Sequence, residues 1–178
     1  MKKSVKEKLK RIRMLMLDID GVMTDGRIIM DDEGRELKNF NVREGHGLKV
    51  MQRYGIKVAI ITGRQSNLVR HRAKEMDIKD VYQKVFNKKE VFEKILKKHK
   101  LSPDETAFIG DDIVDIPVLK RVGFSVAVAD AVDVVKKQVD YITSHKGGKG
   151  AVREVCEMIL KAQEKWPEIA ARYEFPLD

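Results

Sequence analysis

Short apolar runs alternate with amphipathic segments along most of this chain, and this alternation constrains the fold more than any other sequence feature. The runs are MLML (14–17), VAIIT (58–62), TAFIG (106–110), FSVAVA (124–129) and YIT (141–143). Strands joined by helix-length segments form parallel sheets, because a parallel connection requires a crossover. The pattern therefore predicts an α/β fold, a Rossmann-like parallel sheet with helices on both faces.

The connecting segments predict particular helices and one hairpin. Apolar residues at helical spacing indicate helices over residues 45–54, 66–76 and 88–99, and from 151 to about 165, where the last helix ends near Pro167. Residues 102–105 have the form of a capping box, which predicts one helical turn. Residues 27–42 place two β-like runs around Asp31-Asp32-Glu33-Gly34 without a helix, so a β-hairpin should follow the first strand.

Length and composition favour a single domain and exclude several classes of protein. A chain of 178 residues with 43% apolar residues fits one domain, residues 1–178, with a C-terminal tail at 168–178. The net charge of +8 is spread along helical faces without a nucleic-acid-binding motif, so we expect no nucleic-acid partner. No run is long enough to span a membrane, and no signal peptide is recognisable. The lone Cys156 fits a buried structural thiol, and we expect a cytoplasmic protein.

Two carboxylates follow the first predicted strand. Asp18 and Asp20 are two residues apart in Asp18-Ile19-Asp20-Gly21, so the period-two geometry of a strand directs both side chains the same way. Two aspartates so spaced are common in surface turns. After four buried apolar residues, however, the two carboxylates must either bind a cation or lose their hydration at a large cost in free energy. Their position therefore indicates a functional site.

A second polar group follows the second predicted strand. Thr62, Gly63 and Arg64 offer a hydroxyl and backbone N–H groups where a helix is about to begin. Helix N-termini and free N–H groups bind phosphate, although the same residues also occur in ordinary turns. This segment is a candidate phosphate cradle.

A third polar group follows the strand at 106–110. Asp111, Asp112 and Asp115 lie within five residues, so they repel one another unless a cation or a helix N-terminus stabilises them. Carboxyl ends of parallel strands share one edge of a sheet, so these residues should lie near Asp18. Hard oxygen ligands of this kind suit Mg²⁺.

Together the three groups suit phosphoryl transfer with a Mg²⁺ cofactor. The cation could take one oxygen of Asp18, the backbone carbonyl of Asp20 and the carboxylate of Asp111. Asp18 is then placed to attack phosphorus, while Asp20 is placed to donate and recover a proton. A lysine should complete the site.

These motifs, in this order, resemble those of the haloacid dehalogenase phosphatases. The chain carries DxDGxxTDG from Asp18, TGR from Thr62, a lysine before a helix, and GDDxxD from Gly110. The resemblance implies a nucleophile at Asp18, an acid/base at Asp20, a phosphate-binding hydroxyl at Thr62 and a metal carboxylate at Asp111. It also implies that Asp112 and Asp115 bind metal waters or orient the lysine.

The lysine of the resemblance has three candidates. Lys84, Lys88 and Lys89 all lie between the short strand near Tyr82 and the next helix. In the most similar subfamily, Gln-Gly follows the short strand and the lysine comes four residues after the glycine, which selects Lys88. Here Lys84 stands in place of that glycine, so the local turn departs from the family pattern.

Longer segments resemble the 3-deoxy-D-manno-octulosonate 8-phosphate phosphatase family. They lie at 40–47, 59–66, 110–119, 125–131 and 147–160, within a shared region of about residues 12–162. The resemblance implies a capless enzyme that releases phosphate from an eight-carbon sugar acid on the route to lipopolysaccharide. It further implies a homotetramer built around the hairpin, and contact of Arg64 with the sugar carboxylate. The loop at 146–150 either touches substrate or only connects.

Other functions fit parts of the same evidence. A nine-carbon sialic-acid-type phosphate is an alternative substrate, and the chain could also be a free-standing copy of the module fused to some sugar cytidylyltransferases. A signalling receiver domain uses similar residues in another order, with its lysine last, whereas here GDDxxD follows the lysine. A non-catalytic tetrameric scaffold does not account for the presence of both Asp18 and Asp20.

Overall fold

The computed structural model describes residues 3–177, in which strands and helices alternate. The strands are β1 (Met14–Leu17), β2 (Ile29–Met30), β3 (Glu36–Leu37), β4 (Lys57–Ile61), β5 (Asp80–Tyr82), β6 (Thr106–Gly110), β7 (Phe124–Ala127) and β8 (Tyr141–Ile142). The helices are α1 (Lys3–Lys10), α2 (Val42–Arg53), α3 (Asn67–Glu75), α4 (Lys88–His99), α5 (Ile116–Leu119), α6 (Asp133–Lys136), α7 (Ala151–Ala162) and α8 (Trp166–Tyr173). Two 3₁₀ turns, Pro103–Glu105 and Ile113–Asp115, precede β6 and α5.

Six strands form one parallel sheet in the order β5-β4-β1-β6-β7-β8, which confirms the predicted fold class. From β1 the chain winds through β4 to β5 on one side, and then places β6, β7 and β8 on the other. The direction of winding therefore reverses between β1 and β6. In open α/β sheets the crevice at the carboxyl ends of such strands is where ligands bind.

Helices cover both faces of this sheet. Side chains of β1 alternate between the faces, and all four are buried, as are those of β6 and β7. Helices α1 and α2 both pack on α7, whereas α4 packs on α5. The apolar strand runs thus stay buried on both sides, as parallel sheets require. Within residues 3–177, every helix is too short or too polar to cross a bilayer.

The predicted hairpin is confirmed as a separate two-stranded sheet. Strands β2 and β3 pair antiparallel, with Ile29 opposite Leu37 and Met30 opposite Glu36. The turn between them is held by the Asp31 carboxylate, which accepts hydrogen bonds from the backbone N–H groups of Glu33 and Arg35 at 3.1 and 2.8 Å. The hairpin leaves the sheet just after β1 and returns at α2, so it lies beside the carboxyl end of β1.

Helix boundaries agree with the sequence where the capping signals are simple. Helix α4 has the predicted bounds, and the predicted turn at residues 103–105 carries its capping box. Helix α2 begins three residues earlier than predicted because the Asn41 side chain caps it, accepting from the Arg43 N–H at 2.9 Å. Ser66 precedes α3 as predicted, but its side chain makes no capping hydrogen bond.

The C-terminal prediction is wrong in one respect. The last predicted helix stops at Ala162, and residues 166–173, which overlap the tail expected at 168–178, form α8. Pro167 does not end a helix. It lies in the first turn of α8, where a backbone N–H has no partner within the helix, so proline costs no helical hydrogen bond there. Ile169 and Ala170 are buried, so this helix belongs to the hydrophobic core, while Asp178 lies outside the described residues.

We expect the Ile169→Ala variant to lower the free energy of unfolding by about 2–4 kcal/mol, because Ile169 is only 3% exposed and its truncation leaves a cavity. Urea unfolding followed by circular dichroism measures this. Leu177→Ala is the matched control, since Leu177 is 53% exposed. Equal midpoints for the two variants would show that α8 does not contribute to the core.

Candidate active site

Asp18 lies at the carboxyl end of β1 in a nearly closed environment. Its backbone N–H donates to the Ile109 carbonyl of β6 at 3.2 Å, which continues the β1–β6 pairing by one residue. Its Oδ1 accepts from the Ile19 N–H at 2.7 Å, and the residue is 7% exposed. The backbone thus holds one carboxylate oxygen, and Oδ2 is left to face other groups.

Lys88 faces that oxygen from the first residue of α4. Its Nζ lies 2.9 Å from Asp18 Oδ2 and 2.6 Å from Asp115 Oδ1, and its side chain is 2% exposed. The opposite charges of both carboxylates raise the pKa of Lys88 even though burial alone would lower it. Lys88 is therefore a buried ammonium between two aspartates.

The other two candidate lysines lie elsewhere. Lys84 is exposed, and Lys89 is 43% exposed with its ammonium near Glu93 at 3.7 Å. Lys84 has a φ of +56°, a left-handed conformation that glycine adopts without strain. The turn after β5 thus keeps a glycine-type backbone although the residue there is lysine.

The Asp115 carboxylate accepts hydrogen bonds from neighbouring residues with both of its oxygens. Its Oδ2 accepts from the N–H groups of Asp111 and Asp112 at 3.0 and 3.3 Å, and its Oδ1 accepts from Lys88. Gly110 leaves room for this carboxylate, since a Cβ there would lie 2.6 Å from Asp115 Oδ2. The Asp112 carboxylate instead accepts from the Ile113 N–H at 2.7 Å and is exposed. Asp115 therefore orients Lys88, whereas Asp112 caps a 3₁₀ turn.

Asp111 fits a role as a cation ligand. It follows β6, the neighbour of β1, and carboxylate oxygens of Asp18, Asp111 and Asp115 lie within 4.8 Å of one another. Asp111 Oδ1 is buried and has no hydrogen-bond partner among the described residues. Asp115 accepts three hydrogen bonds, whereas each Asp18 oxygen has a single partner, so Asp18 and Asp111 are the carboxylates better placed to bind an ion. A hard divalent cation such as Mg²⁺ suits this donor set.

The protonation of these carboxylates supports the same conclusion. Burial raises the pKa of Asp18 to about 6, although the attraction of Lys88 opposes the shift. Burial, reinforced by the charges of Asp115 and Asp18, raises the pKa of Asp111 to about 8. One ammonium therefore does not compensate the three aspartates at neutral pH. A divalent cation would provide the missing positive charge.

The predicted phosphate cradle lies on the adjacent strand. Thr62 follows β4, which pairs with β1, and the residue is 2% exposed. Its N–H donates to the Tyr82 carbonyl at 2.9 Å and its carbonyl accepts from the Val85 N–H at 3.1 Å, so both backbone groups are used. Gly63 is exposed and leads to Arg64, whose side chain is 40% exposed. A ligand therefore cannot use the Thr62 N–H, and the N–H groups of Gly63 and Arg64 are the remaining candidates.

A line of alternating charges joins Asp20 to Arg64 through the hairpin. Lys38 forms an ion pair with Asp20 Oδ1 and lies 3.3 Å from Glu36 Oε1, while Arg64 Nη2 lies 2.8 Å from the same Glu36 oxygen. Burial raises the pKa of Glu36, but hydrogen bonds from Ser66 and Lys38 outweigh it and hold the pKa below its usual value. Sequence reasoning missed Lys38 and Glu36, because no motif marks either residue.

Glu44 is a second residue that sequence reasoning missed. It is fully buried in the first turn of α2, and its Oε1 accepts from the Gly150 N–H at 2.9 Å. Burial raises the pKa of Glu44 to about 7, although hydrogen bonds from the Gly150 and Val152 N–H groups and the charge of Arg72 oppose the shift. This carboxylate fastens one end of the loop at residues 146–150.

That loop packs directly on the turn that carries Asp20. A Cβ at Gly147 would lie 1.8 Å from the Gly21 carbonyl oxygen, so only glycine allows this approach. The Gly148 N–H donates to the Val22 carbonyl at 2.9 Å, and the Asn41 amide donates to the Gly148 carbonyl at 3.3 Å. The loop is therefore tied to the Asp20 turn at several points.

Comparisons with known proteins identify the family that this chain resembles. The model of the haloacid dehalogenase-like hydrolase family matches residues 76–155. The 3-deoxy-D-manno-octulosonate 8-phosphate phosphatase of Escherichia coli strain B is 47% identical over 164 residues, which cover 92% of this chain and 87% of the relative.

Solved structures of similar proteins share the fold over nearly the whole chain. The crystal structure of 3-deoxy-D-manno-octulosonate 8-phosphate phosphatase from Yersinia pestis has a TM-score of 0.92 and 45% identity, covering 93% of this chain and 89% of its own. The enzyme of that name from Moraxella catarrhalis, in complex with a magnesium ion, a phosphate ion and a KDO molecule, has a TM-score of 0.95 and 39% identity, covering 97% and 99%.

Glu44 should make the protein less stable as the pH rises. Its pKa is about 7 in the folded chain and ordinarily 4.5, so between these values the folded state binds the extra proton and stability falls with increasing pH. Above pH 7 the loss in the free energy of unfolding that is due to Glu44 reaches roughly 3 kcal/mol. In Glu44→Gln this part of the decline is absent, which urea unfolding from pH 4.5 to 8 without metal measures.

Glu154→Gln is the matched control. Burial raises the pKa of Glu154, but hydrogen bonds from Ser144 and His145 prevail and hold it below its usual value. Ionised Glu154 therefore stabilises the fold at neutral pH, and its replacement should not flatten the decline. A wild-type pH profile in Glu44→Gln would refute the assignment.

Proposed function

Because this chain belongs to the 3-deoxy-D-manno-octulosonate 8-phosphate phosphatases of the haloacid dehalogenase superfamily, we propose that it hydrolyses this sugar-acid phosphate to the free sugar acid and inorganic phosphate. Family membership rests on 47% identity over 92% of the chain. The observation that carries the mechanism is the buried contact of Lys88 with Asp18, beside the unpartnered Asp111 Oδ1.

The cofactor is Mg²⁺, and Asp18, the Asp20 backbone carbonyl and Asp111 would hold it. A bound magnesium ion supplies positive charge that lets an anionic phosphate approach an anionic carboxylate. Asp115 keeps Lys88 in place, and Asp112 lies at the rim as a candidate for contact with metal-bound water. The unpartnered oxygen of Asp111 and the Mg²⁺ bound by the Moraxella relative support this assignment.

In the reaction, Asp18 is the nucleophile. One of its carboxylate oxygens attacks phosphorus and forms an aspartyl-phosphate, while the bond from phosphorus to the sugar oxygen breaks. Asp20 donates a proton to that departing oxygen and later takes one from the water that hydrolyses the intermediate. Lys88, the Thr62 hydroxyl and the N–H groups of Gly63 and Arg64 bind the phosphate oxygens.

The substrate's carboxylate is bound by Arg64. Its guanidinium lies at the carboxyl edge of β4 and pairs with Glu36, and its Nη1 has no hydrogen-bond partner among the described residues. A guanidinium with an unused donor suits a second carboxylate.

The free acid is then a precursor for lipopolysaccharide synthesis in the cytoplasm. A single buried cysteine, whose pKa burial raises, fits a reducing compartment.

We further propose a homotetramer built around the hairpin. In the single chain, the hairpin exposes a set of large apolar side chains to water, which contact with another subunit would remove. Their exposed fractions are 59% for Ile28, 42% for Ile29, 55% for Met30 and 63% for Leu37. Clustered exposed apolar residues are typical of protein interfaces. A neighbouring subunit seated there would also lie close to Asp20, since Lys38 connects the hairpin to that residue.

We expect phosphate release from the eight-carbon sugar-acid phosphate to require Mg²⁺, to stop with a chelator and to return when Mg²⁺ is added. Asp18→Asn should lower kcat by at least ~10³-fold, because the nucleophile is lost, and Asp20→Asn by ~10²–10⁴-fold. Lys88→Met should be nearly inactive, while Lys89→Met, its exposed neighbour, keeps wild-type activity. Release of inorganic phosphate is the measurement.

The same assay separates the substrate alternatives. A kcat/KM at least tenfold higher for the eight-carbon than for a nine-carbon sugar-acid phosphate supports the proposed substrate, and the reverse order would favour the sialic-acid-type alternative. Activity retained by a correctly folded Asp18→Asn variant would end the nucleophile assignment.

The tetramer is tested by sedimentation equilibrium. The wild type should have four times the mass of the 20.4 kDa chain. Ile29→Asp should lower the mass because it buries a charge in the interface. Val134→Asp is the control, since Val134 is similarly exposed, at 45%, but belongs to α6 and not to the hairpin. A monomeric wild type contradicts the proposal.

A further inference from the structure

The ion pair between Lys38 and Asp20 joins the hairpin to the proposed proton donor. Lys38 follows β3, yet its side chain is only 2% exposed because it points back toward the end of β1. Asp20 is 22% exposed and Glu36 17% exposed, measured on their side chains. All three groups are therefore largely withdrawn from water at the edge of the site.

A buried ammonium is stable only where carboxylates surround it. Lys38 has two such partners, Asp20 Oδ1 and Glu36 Oε1. Glu36 is in turn held by Arg64 at 2.8 Å. Loss of any one member would leave a partly desolvated charge without its partner, which is costly. The four charges therefore fix one another's positions.

The contact with Asp20 uses one carboxyl oxygen only. Lys38 approaches Oδ1, and the other oxygen, Oδ2, takes no part in this contact. A carboxylic acid can accept a hydrogen bond at one oxygen while it donates from the other. The arrangement thus holds the side chain of Asp20 and leaves its donating oxygen free.

We infer that Lys38 is a positioning residue that fixes Asp20 for proton transfer to the departing oxygen, and that Glu36 fixes Lys38. The inference rests on the proposed function, because it assigns the proton donor to Asp20. Misplacing a reacting group by about 1 Å can cost ~10²-fold in rate. Lys38 acts through Asp20, so its loss matters most when the leaving group needs a proton.

The leaving group therefore provides the test. p-Nitrophenyl phosphate and phenyl phosphate are similar in shape and both lack a sugar and a carboxylate, but nitrophenolate leaves readily without a proton and phenolate does not. We expect Lys38→Met to lower kcat/KM about tenfold or more for phenyl phosphate and less than threefold for p-nitrophenyl phosphate. The value of kcat/KM reports only the steps up to and including the first irreversible one. Hydrolysis of the intermediate comes later and therefore does not affect it.

Further variants separate positioning from support of the fold. Lys38→Arg should restore most of the activity lost in Lys38→Met, and Glu36→Gln should show the same dependence on leaving group at a smaller, few-fold scale. The double variant Asp20→Asn/Lys38→Met should be no slower than Asp20→Asn alone. Arg35→Met is the control on the same hairpin, since Arg35 is 74% exposed and pairs only with Asp31 and Glu33 in the described chain.

Equal losses on both aryl phosphates, or losses that multiply in the double variant, would overturn the inference. The same result in Glu36→Gln would do so even if Lys38→Met failed to fold. A wild type that cleaves aryl phosphates but no sugar-acid phosphate would instead reject the proposed substrate, and the comparison of the two aryl phosphates would still decide the role of Lys38.

Discussion

The buried contact of Lys88 with Asp18 and Asp115 is the interaction on which the site depends. It joins three elements, since Asp18 follows β1, Lys88 begins α4 and Asp115 ends the turn after β6. Asp115 also accepts hydrogen bonds from the N–H groups of Asp111 and Asp112, so it sets the path of the backbone that carries Asp111, the proposed metal ligand. A buried charge without its partner is costly, and each member therefore holds the others in place.

The sheet topology explains why these charges meet. Reversal of winding between β1 and β6 opens a crevice at their carboxyl ends, and Asp18 and Asp111 are the residues that follow those two strands. The adjacent strand β4 adds Thr62 from the other side. Short connections on the sheet thus bring three separate segments to one edge, where the proposed phosphate site lies, and the hairpin adds Lys38 at the same edge.

The sequence predicted the sheet, the hairpin, α4 and the convergence of acidic residues because each has a local signal: strand-length apolar runs, turn residues, helical spacing and carboxylates at strand ends. It did not reveal Lys38 or Glu44, whose roles arise from contacts with residues 18 and 106 positions away in the chain. It also missed α8, because proline is compatible with a first helical turn as well as with a helix end. Long-range contacts of this kind leave no periodic pattern.

The glycine loop at residues 146–150 has a consequence for how the enzyme is made. Gly148 donates to Val22 and Gly150 to Glu44, so the turn bearing Asp20 takes support from a segment translated more than 100 residues later. A nascent chain that has reached Asp115 but not residue 146 contains Asp18, Lys88 and Asp115 but lacks the loop that supports the Asp20 turn, so this part of the site is completed only when the loop is synthesised.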